Sequence, residues 1–246
     1  PAMLLTHPLP MYRITDARQR ALNYPVRPIP PNLNFELTKA RLMARYEGEA
    51  KSNIALFKNQ LIKKRYLLKS AAQYGLALSY FEDKQVAKAL SILESLRLNH
   101  HDNLFYVDAL TDVYIANNQT DKAVNMLKQL NLFMPNNQVI SLNYANALID
   151  AKEFDFAAQI LQDFLLVNSG NFIAYDLLTS LYRKQGKLGL MHMNKAEVLA
   201  LLGGYNKAVD ELQTSYSLLE NLPLVQKRIK ARILQFQEQE SKLKRL

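Results

Sequence analysis

Residues 104–137 read LFYVDALTDVYIANNQTDKAVNMLKQLNLFMPNN and set the pattern for most of the chain. Leu110, Tyr114, Ala123 and Leu127 recur at the spacing of a buried helix face, which predicts two amphipathic helices. Pro135 and the asparagines beside it end the second helix. A hairpin of this size cannot bury both apolar faces by itself, so copies of it should pack against one another.

The same residue types recur every 34 positions. One position of the first helix is occupied by a large residue in every repeat, and the next position by a small one. An alanine occupies the point where the second helix crosses the first. These three columns are Leu76, Leu110, Tyr144 and Leu178; Ala77, Thr111, Ala145 and Thr179; and Ala89, Ala123 and Ala157. The packing pattern resembles the tetratricopeptide (TPR) repeat. The sequence therefore predicts an all-α, TPR-like α-solenoid of antiparallel helix pairs.

We divide the chain into four expected regions. They are a proline-rich histidine-loop segment at 1–32, N-terminal helices at 33–70, repeats at 71–220 and a C-terminal capping helix at 221–246. Within the first region, Thr15 is expected to cap a short helix. In the fourth repeat Met191 replaces the crossing alanine, and Ala208 is the next plausible crossing alanine after Ala157, later than one repeat would place it. This spacing predicts that the helix at 188–202 is shared by two units.

Charge is concentrated at the start of the chain. Of the net charge of +9, residues 1–70 carry 13 Lys/Arg against 4 Asp/Glu, and residues 71–246 carry 18 of each. A basic segment could meet nucleic acid or anionic lipid, although a solvated helix face explains it as well. The chain has no cysteine, which excludes disulfides and thiolate zinc sites. No apolar run is long enough to span a membrane, and the start is not a signal peptide.

The sequence contains no common catalytic motif. HExxH, a Walker glycine loop and GxSxG are all missing. His100 and His101 are expected in a solvated loop, and His192 is expected to be a packing residue on a helix. We therefore predict no catalytic residue and no metal site in the chain by itself.

The run LLTHPLPMYRITDARQRA, at residues 4–21, carries a second resemblance. It is similar to a segment that follows the catalytic domain in bacterial periplasmic zinc metalloproteases with an HExxH helix and C-terminal TPRs. The run AAQYGLAL, at residues 71–78, and the order of the repeats also resemble that family. The resemblance implies that the chain is the non-catalytic part of a protease whose missing N-terminal domain holds zinc. It also implies a periplasmic location.

His7 lies on a proline-stiffened loop in the first of these runs. In the resembling proteases this loop lies close to the zinc cleft, so the resemblance implies that His7 faces or caps the metal of the full-length parent. A neutral imidazole suits the open position of a catalytic zinc. The alternative, in which His7 only positions the loop, stays open. One histidine cannot hold zinc by itself, so we predict that the chain binds no zinc tightly and cleaves nothing.

TPR geometry predicts a concave groove lined by the first helix of each pair, which suits an extended or helical segment of another protein. The groove residues expected to contact a partner are Phe105, Asp108, Asp112, Asn146, Ile149, Asp176 and Arg183. Reversing the charge of Asp108 and Asp112 is expected to weaken partner capture without lowering helicity.

By resemblance, the partners would be outer-membrane proteins under assembly, the machinery that inserts them, and the chain's own N-terminal protease domain. The alternative is a free-standing TPR scaffold or adaptor, associated with nucleic acid through the basic segment at 1–70; the protease interpretation expects no nucleic acid. Self-association through exposed apolar surface is also left open.

Overall fold

The chain forms a row of antiparallel α-helices. The computed structural model describes residues 10–24 and 30–245, and these ranges contain thirteen helices and no strand. In chain order they are α1 (Pro10–Leu22), α2 (Leu33–Tyr46), α3 (Ala50–Ile62), α4 (Lys69–Glu82), α5 (Val86–Asn99), α6 (Leu104–Ala116), α7 (Thr120–Phe133), α8 (Gln138–Asp150), α9 (Phe154–Val167), α10 (Phe172–Lys184), α11 (Leu188–Leu201), α12 (Tyr205–Leu218) and α13 (Pro223–Leu243). The predicted all-α solenoid is confirmed.

Asparagine caps begin three of the helices that come first in a pair. The side-chain oxygens of Asn103, Asn137 and Asn171 accept hydrogen bonds from backbone N–H groups in the first turns of α6, α8 and α10. Such a cap satisfies donors that have no partner inside the helix and stabilises the helix by about 1 kcal/mol. Because the caps recur with the same period as the core columns, the same local chemistry starts these three units at the same point.

The turn inside each pair depends on one residue in the left-handed region. These residues have φ between 55° and 70° and recur every 34 positions: Lys84, Asn118, Lys152 and Gly186. The left-handed conformation ends one helix and turns the chain back to start the next, although a lysine there costs more than a glycine. The repeat is therefore fixed by its turns as well as by its core.

The crossing alanines lie in the centre of the core. Ala89, Ala123 and Ala157 are fully buried, as predicted. Around them pack large side chains such as Leu110, Leu127 and Phe164, all members of one continuous apolar cluster that runs from α2 to α11. A small residue at the crossing lets two helix backbones approach closely, as the sequence pattern indicated.

Replacing Ala123 with leucine is expected to lower the free energy of unfolding by about 1–3 kcal/mol, because three extra carbons have no space at the crossing. Urea unfolding followed by circular dichroism measures the change. Ala116→Leu is the matched control, since Ala116 is exposed at the end of α6. Equal stability of the two variants would contradict the close-approach role of Ala123.

Helices α2 and α3 extend the row at its N-terminal end. Both pack on α4, and Gly48 between them has φ +70° like the turn residues of the repeats. Phe57 of α3 covers Gly75 of α4 so closely that a Cβ at residue 75 would collide with the ring. The first helix, α1, starts earlier than expected, so the predicted cap at Thr15 is wrong: Thr15 lies inside α1 and its hydroxyl donates to the Met11 carbonyl at 2.9 Å.

Helix α11, predicted to be shared by two units, packs against α10 and α12. The left-handed residue that follows it, Gly203 with φ +79°, comes only half a repeat after Gly186. The turn from α11 to α12 is thus of the kind found inside a pair, although α11 already completes the pair begun by α10. One helix has been added to the regular alternation, and α13 then packs on α12.

A polar layer between α11 and α12 lies between the main apolar cluster and a second cluster around Ala196, Ala208 and Phe236. Ser215 donates to the Gly189 carbonyl at 2.7 Å. Glu211 lies 2.6 Å from His192 Nδ1 and accepts from Lys195 at 2.7 Å. His192, expected to be only a packing residue, therefore belongs to a charged cluster.

The Glu211 cluster predicts a loss of stability in acid. Burial by itself would raise the pKa of Glu211, but hydrogen bonds from Lys195 and His192 and their charges lower it below 4.5. A carboxyl with a lowered pKa stabilises the fold above its unfolded pKa, and this contribution disappears as pH falls through the folded pKa. Glu211→Gln should therefore cost about 1 kcal/mol at pH 7 and less at pH 3.

Urea unfolding at the two pH values measures this difference. Glu220→Gln is the control, because the Glu220 side chain is exposed. A cost for Glu211→Gln that is the same at both pH values would show that the carboxylate charge is not what stabilises the layer.

Candidate functional site

The groove is the face formed by α4, α6, α8 and α10, which contact one another in sequence. The structure places the predicted groove residues unequally along it. Asp176 and Arg183 are exposed on α10, whereas Asn146 on α8 is half-buried. Ile149 is only 4% exposed, so its side chain belongs to the core and offers little surface to a partner.

Asp108 and Asp112 of α6 form ion pairs within the chain. Arg41 of α2 donates to Asp108, and Arg45 donates to Asp112 at 3.0 Å. Asn143 of α8 also donates to Asp108 at 3.0 Å. These two carboxylates, which we call the acidic patch, are therefore already occupied by α2. Reversing the charge of Asp108 and Asp112, which the sequence suggested as a test of the groove, would break these contacts. A loss of partner capture in that variant could therefore not be assigned to the groove.

Aromatic side chains form the floor beneath these pairs. Tyr74 of α4 is fully buried, and its ring packs against Phe105, edge to face with 6.1 Å between centroids, and against Tyr106 at 5.7 Å. Burial raises the pKa of Tyr74, so its hydroxyl stays protonated at neutral pH. Burial, followed by the charge of Asp108, also raises the pKa of Asp112, while Arg45 opposes the increase.

Sequence reasoning missed Arg41, Arg45, Tyr74 and Asn143 as neighbours of the predicted site. Arg41 and Arg45 looked like part of a generally basic segment, and their partners lie 67 residues away. The signal that could have found them is the matched spacing: two arginines one helical turn apart, and two aspartates one turn apart on a helix that shares the same face.

The described residues offer no site for zinc. No group of three histidine, aspartate or glutamate side chains comes together in residues 10–24 and 30–245, so these residues do not fit the metal of the proposed parent. His7 lies outside the described residues, and its expected role beside zinc stays a prediction. No helix in the described part of the chain is long and apolar enough to cross a membrane.

Fold and groove together define a tetratricopeptide-repeat solenoid. The tetratricopeptide repeat family model matches residues 114–181. Among solved structures, a tetratricopeptide repeat protein from Parabacteroides merdae aligns over 89% of this chain and 94% of its own, with a TM-score of 0.52 and 13% identity. One chain of the APC/C hetero-tetramer Cut9–Hcn1 aligns over 86% of this chain and 46% of its own length, with a TM-score of 0.53 and 11% identity. These structural likenesses show the fold alone.

Curated relatives give a closer likeness. The chain is 37% identical over 240 residues to a Vibrio cholerae protein named as a putative beta-barrel assembly-enhancing protease, covering 97% of this chain and 50% of that protein. It is 30% identical over 244 residues to the beta-barrel assembly-enhancing protease of Escherichia coli, covering 99% of this chain and 50% of that protein. The resemblance predicted from the sequence is confirmed. The chain spans about half the length of the curated relatives it matches.

Proposed function

We propose that the chain is the protein-binding, non-catalytic part of a periplasmic zinc metalloprotease. Its groove would hold outer-membrane proteins under assembly, or components of the machinery that inserts them, and present them to a protease domain encoded upstream. The chain itself is a TPR-type helical region, and zinc and proteolysis would belong to the rest of the parent.

The observation that carries the proposal is the extent of the likeness. Almost the whole chain aligns with relatives named as beta-barrel assembly-enhancing proteases, yet it accounts for only half of their length. A TPR solenoid presents a groove suited to a segment of another protein. The open part of that groove lies on α8 and α10, since α2 covers the acidic patch on α6.

Site-specific photo-cross-linking tests the proposal. A cross-linking amino acid at Asp176 or Arg183, both exposed on α10, should capture an outer-membrane barrel protein that has been unfolded in urea and diluted with the purified chain. The matched control position is Phe156, which is 64% exposed on α9, the second helix of its pair. We expect adducts from α10 at least tenfold above those from Phe156.

Equal adduct yields from the groove and the control position would contradict a groove interaction. An unfolded protein from outside the outer membrane tests specificity: equal capture of both would show general binding of unfolded chains and would remove the outer-membrane part of the proposal.

A further inference from the structure

We infer that the acidic patch, together with the aromatic floor around Tyr74, forms a binding site. Its ligand would be a helix that presents two arginines one turn apart. In this structure the chain's own α2 occupies it, so a partner with the same arginine spacing must compete with α2. The inference rests on the proposed function as a protein-binding module and names one class of partner for it.

The ion pairs are in register. Arg41 pairs with Asp108 and Arg45 with Asp112, so two residues four apart on α2 meet two residues four apart on α6 in the same order. The two helices therefore run in the same direction across the groove. A helical ligand that repeats this spacing can satisfy both carboxylates at once, because side chains four positions apart share one helix face.

The site also contains a hydrogen-bonding group that α2 leaves unused. Within the described part of the chain, the fully buried Tyr74 hydroxyl has no hydrogen-bond partner. Burial is the main cause of its raised pKa, and the charges of Arg41, Arg45 and the two aspartates also act on it. A buried polar group without a partner costs free energy. A ligand that also reaches this hydroxyl would gain an interaction that α2 does not make.

Arginine is the side chain that fits this site best. Its planar guanidinium can donate to a carboxylate and stack on an aromatic ring at the same time, which a lysine ammonium does less well. The Tyr74 and Phe105 rings lie at the floor, and Asp108 and Asp112 supply the carboxylates. The site is thus complementary in charge to arginine pairs.

Helix α2 packs on α4 and meets α6 through the two ion pairs. Its buried side chains are Leu37, Ala40 and Ala44, of which only Leu37 is large. By contrast, α3 buries Phe57 and Ile54. Asn53 of α3 donates to the Met43 and Glu47 carbonyls and ties the end of α2 to α3. The two ion pairs thus link α2 to α6, in addition to its packing on α4.

The test uses the full chain carrying Arg41→Gln and Arg45→Gln, and a fluorescent peptide with the sequence of α2, residues 33–46. The variant should show hydrogen exchange in α2 raised at least tenfold, with α6 to α10 unchanged. Its site should bind the peptide at least tenfold more tightly than the wild-type chain does, because tethered α2 competes at a high effective concentration. Fluorescence anisotropy measures the binding.

Two matched controls assign the binding to the arginine pairs. A peptide carrying Arg41→Glu and Arg45→Glu should bind the variant chain at least tenfold more weakly. Adding Asp108→Asn and Asp112→Asn to the variant chain should abolish the difference between the two peptides.

The inference is overturned if exchange in α2 does not change, if all helices exchange faster together, or if the native peptide binds no better than the glutamate peptide. These outcomes leave the proposed function intact as long as the cross-links from Asp176 and Arg183 persist. Loss of those cross-links with peptide binding retained would instead remove the proposed function alone.

Discussion

Replacing Asp108 and Asp112 together with arginine is expected to lower the free energy of unfolding by about 3 kcal/mol, because the change puts four positive side chains where two ion pairs now lie. Both pairs are partly buried, with 19–35% of each side chain exposed, so salt screens them incompletely. The loss should begin at the N-terminal end of the solenoid. Urea unfolding gives the size of the loss, and hydrogen exchange shows that α2 opens first.

Compensating changes provide the most direct control. Arg41→Asp and Arg45→Asp added to the reversed aspartates restore both pairs with their signs exchanged and should recover at least half of the lost stability. Asp163→Arg with Asp210→Arg changes the net charge by the same amount at two exposed positions and should cost less than about 0.5 kcal/mol. A similar loss in this control, or no recovery in the fourfold variant, would show that the specific pairs contribute nothing.

Phe57→Ala should cost about 3–5 kcal/mol, the range for removing a large buried ring. Phe57 is 2% exposed, and its ring fills the space that a side chain at position 75 would otherwise take. Because Gly75 has no side chain to replace the lost contacts, a cavity remains between α3 and α4. The variant should lose protection from hydrogen exchange in α2 to α4 before it does in α12 and α13, since each solenoid unit depends chiefly on its neighbours.

Phe156→Ala serves as the control, since Phe156 is 64% exposed on α9 and its loss should change stability by less than about 0.5 kcal/mol. A cost below about 1 kcal/mol for Phe57→Ala would mean that the helices collapse into the space and that the ring does not hold α3 in place.

The repeats were predictable because each contact in them recurs. Ala89, Ala123 and Ala157 occupy one column and one environment, so a single count located the core. Groove residues are harder to predict, because residues at equivalent positions of the repeats differ in solvent exposure. Ile115 is half-buried, Ile149 is buried and Arg183 is exposed, although all three are separated by whole repeats. Neighbouring units cover the groove differently, and a period in the sequence carries no information about that.

The pairing of α2 with α6 was not predictable from periodicity. Helix α2 begins at Leu33 and α4 at Lys69, an interval that does not match the period of the repeat, so α2 falls outside the columns. The ion pairs also join α2 to α6, with α4 between them in the order of first helices. A repeat period in the sequence predicts contacts between adjacent units only. The prediction that Thr15 caps α1 was wrong for a local reason. Helix α1 begins at Pro10, because proline fits well at the first position of a helix.

Because α11 is added to the regular alternation, the helices that follow it exchange their places in the two layers of the solenoid, the inner layer of first helices and the outer layer of second helices. A helix that ends one pair and begins the next belongs to the outer layer of the first unit and to the inner layer of the second. The ion pair of Arg232 with Glu197, joined at 2.5 Å, links α13 to α11 across the same sequence separation as the bond from Asn143 to Asp108 links α8 to α6. Helices α11 and α13 are thus linked by side chains at the spacing that links the first helices α6 and α8, and a cleft of about 590 Å³ lies there beside Tyr205 and Phe236. The cleft lies near the C-terminal end of the row of helices and the acidic patch near its N-terminal end, so the two surfaces are separate.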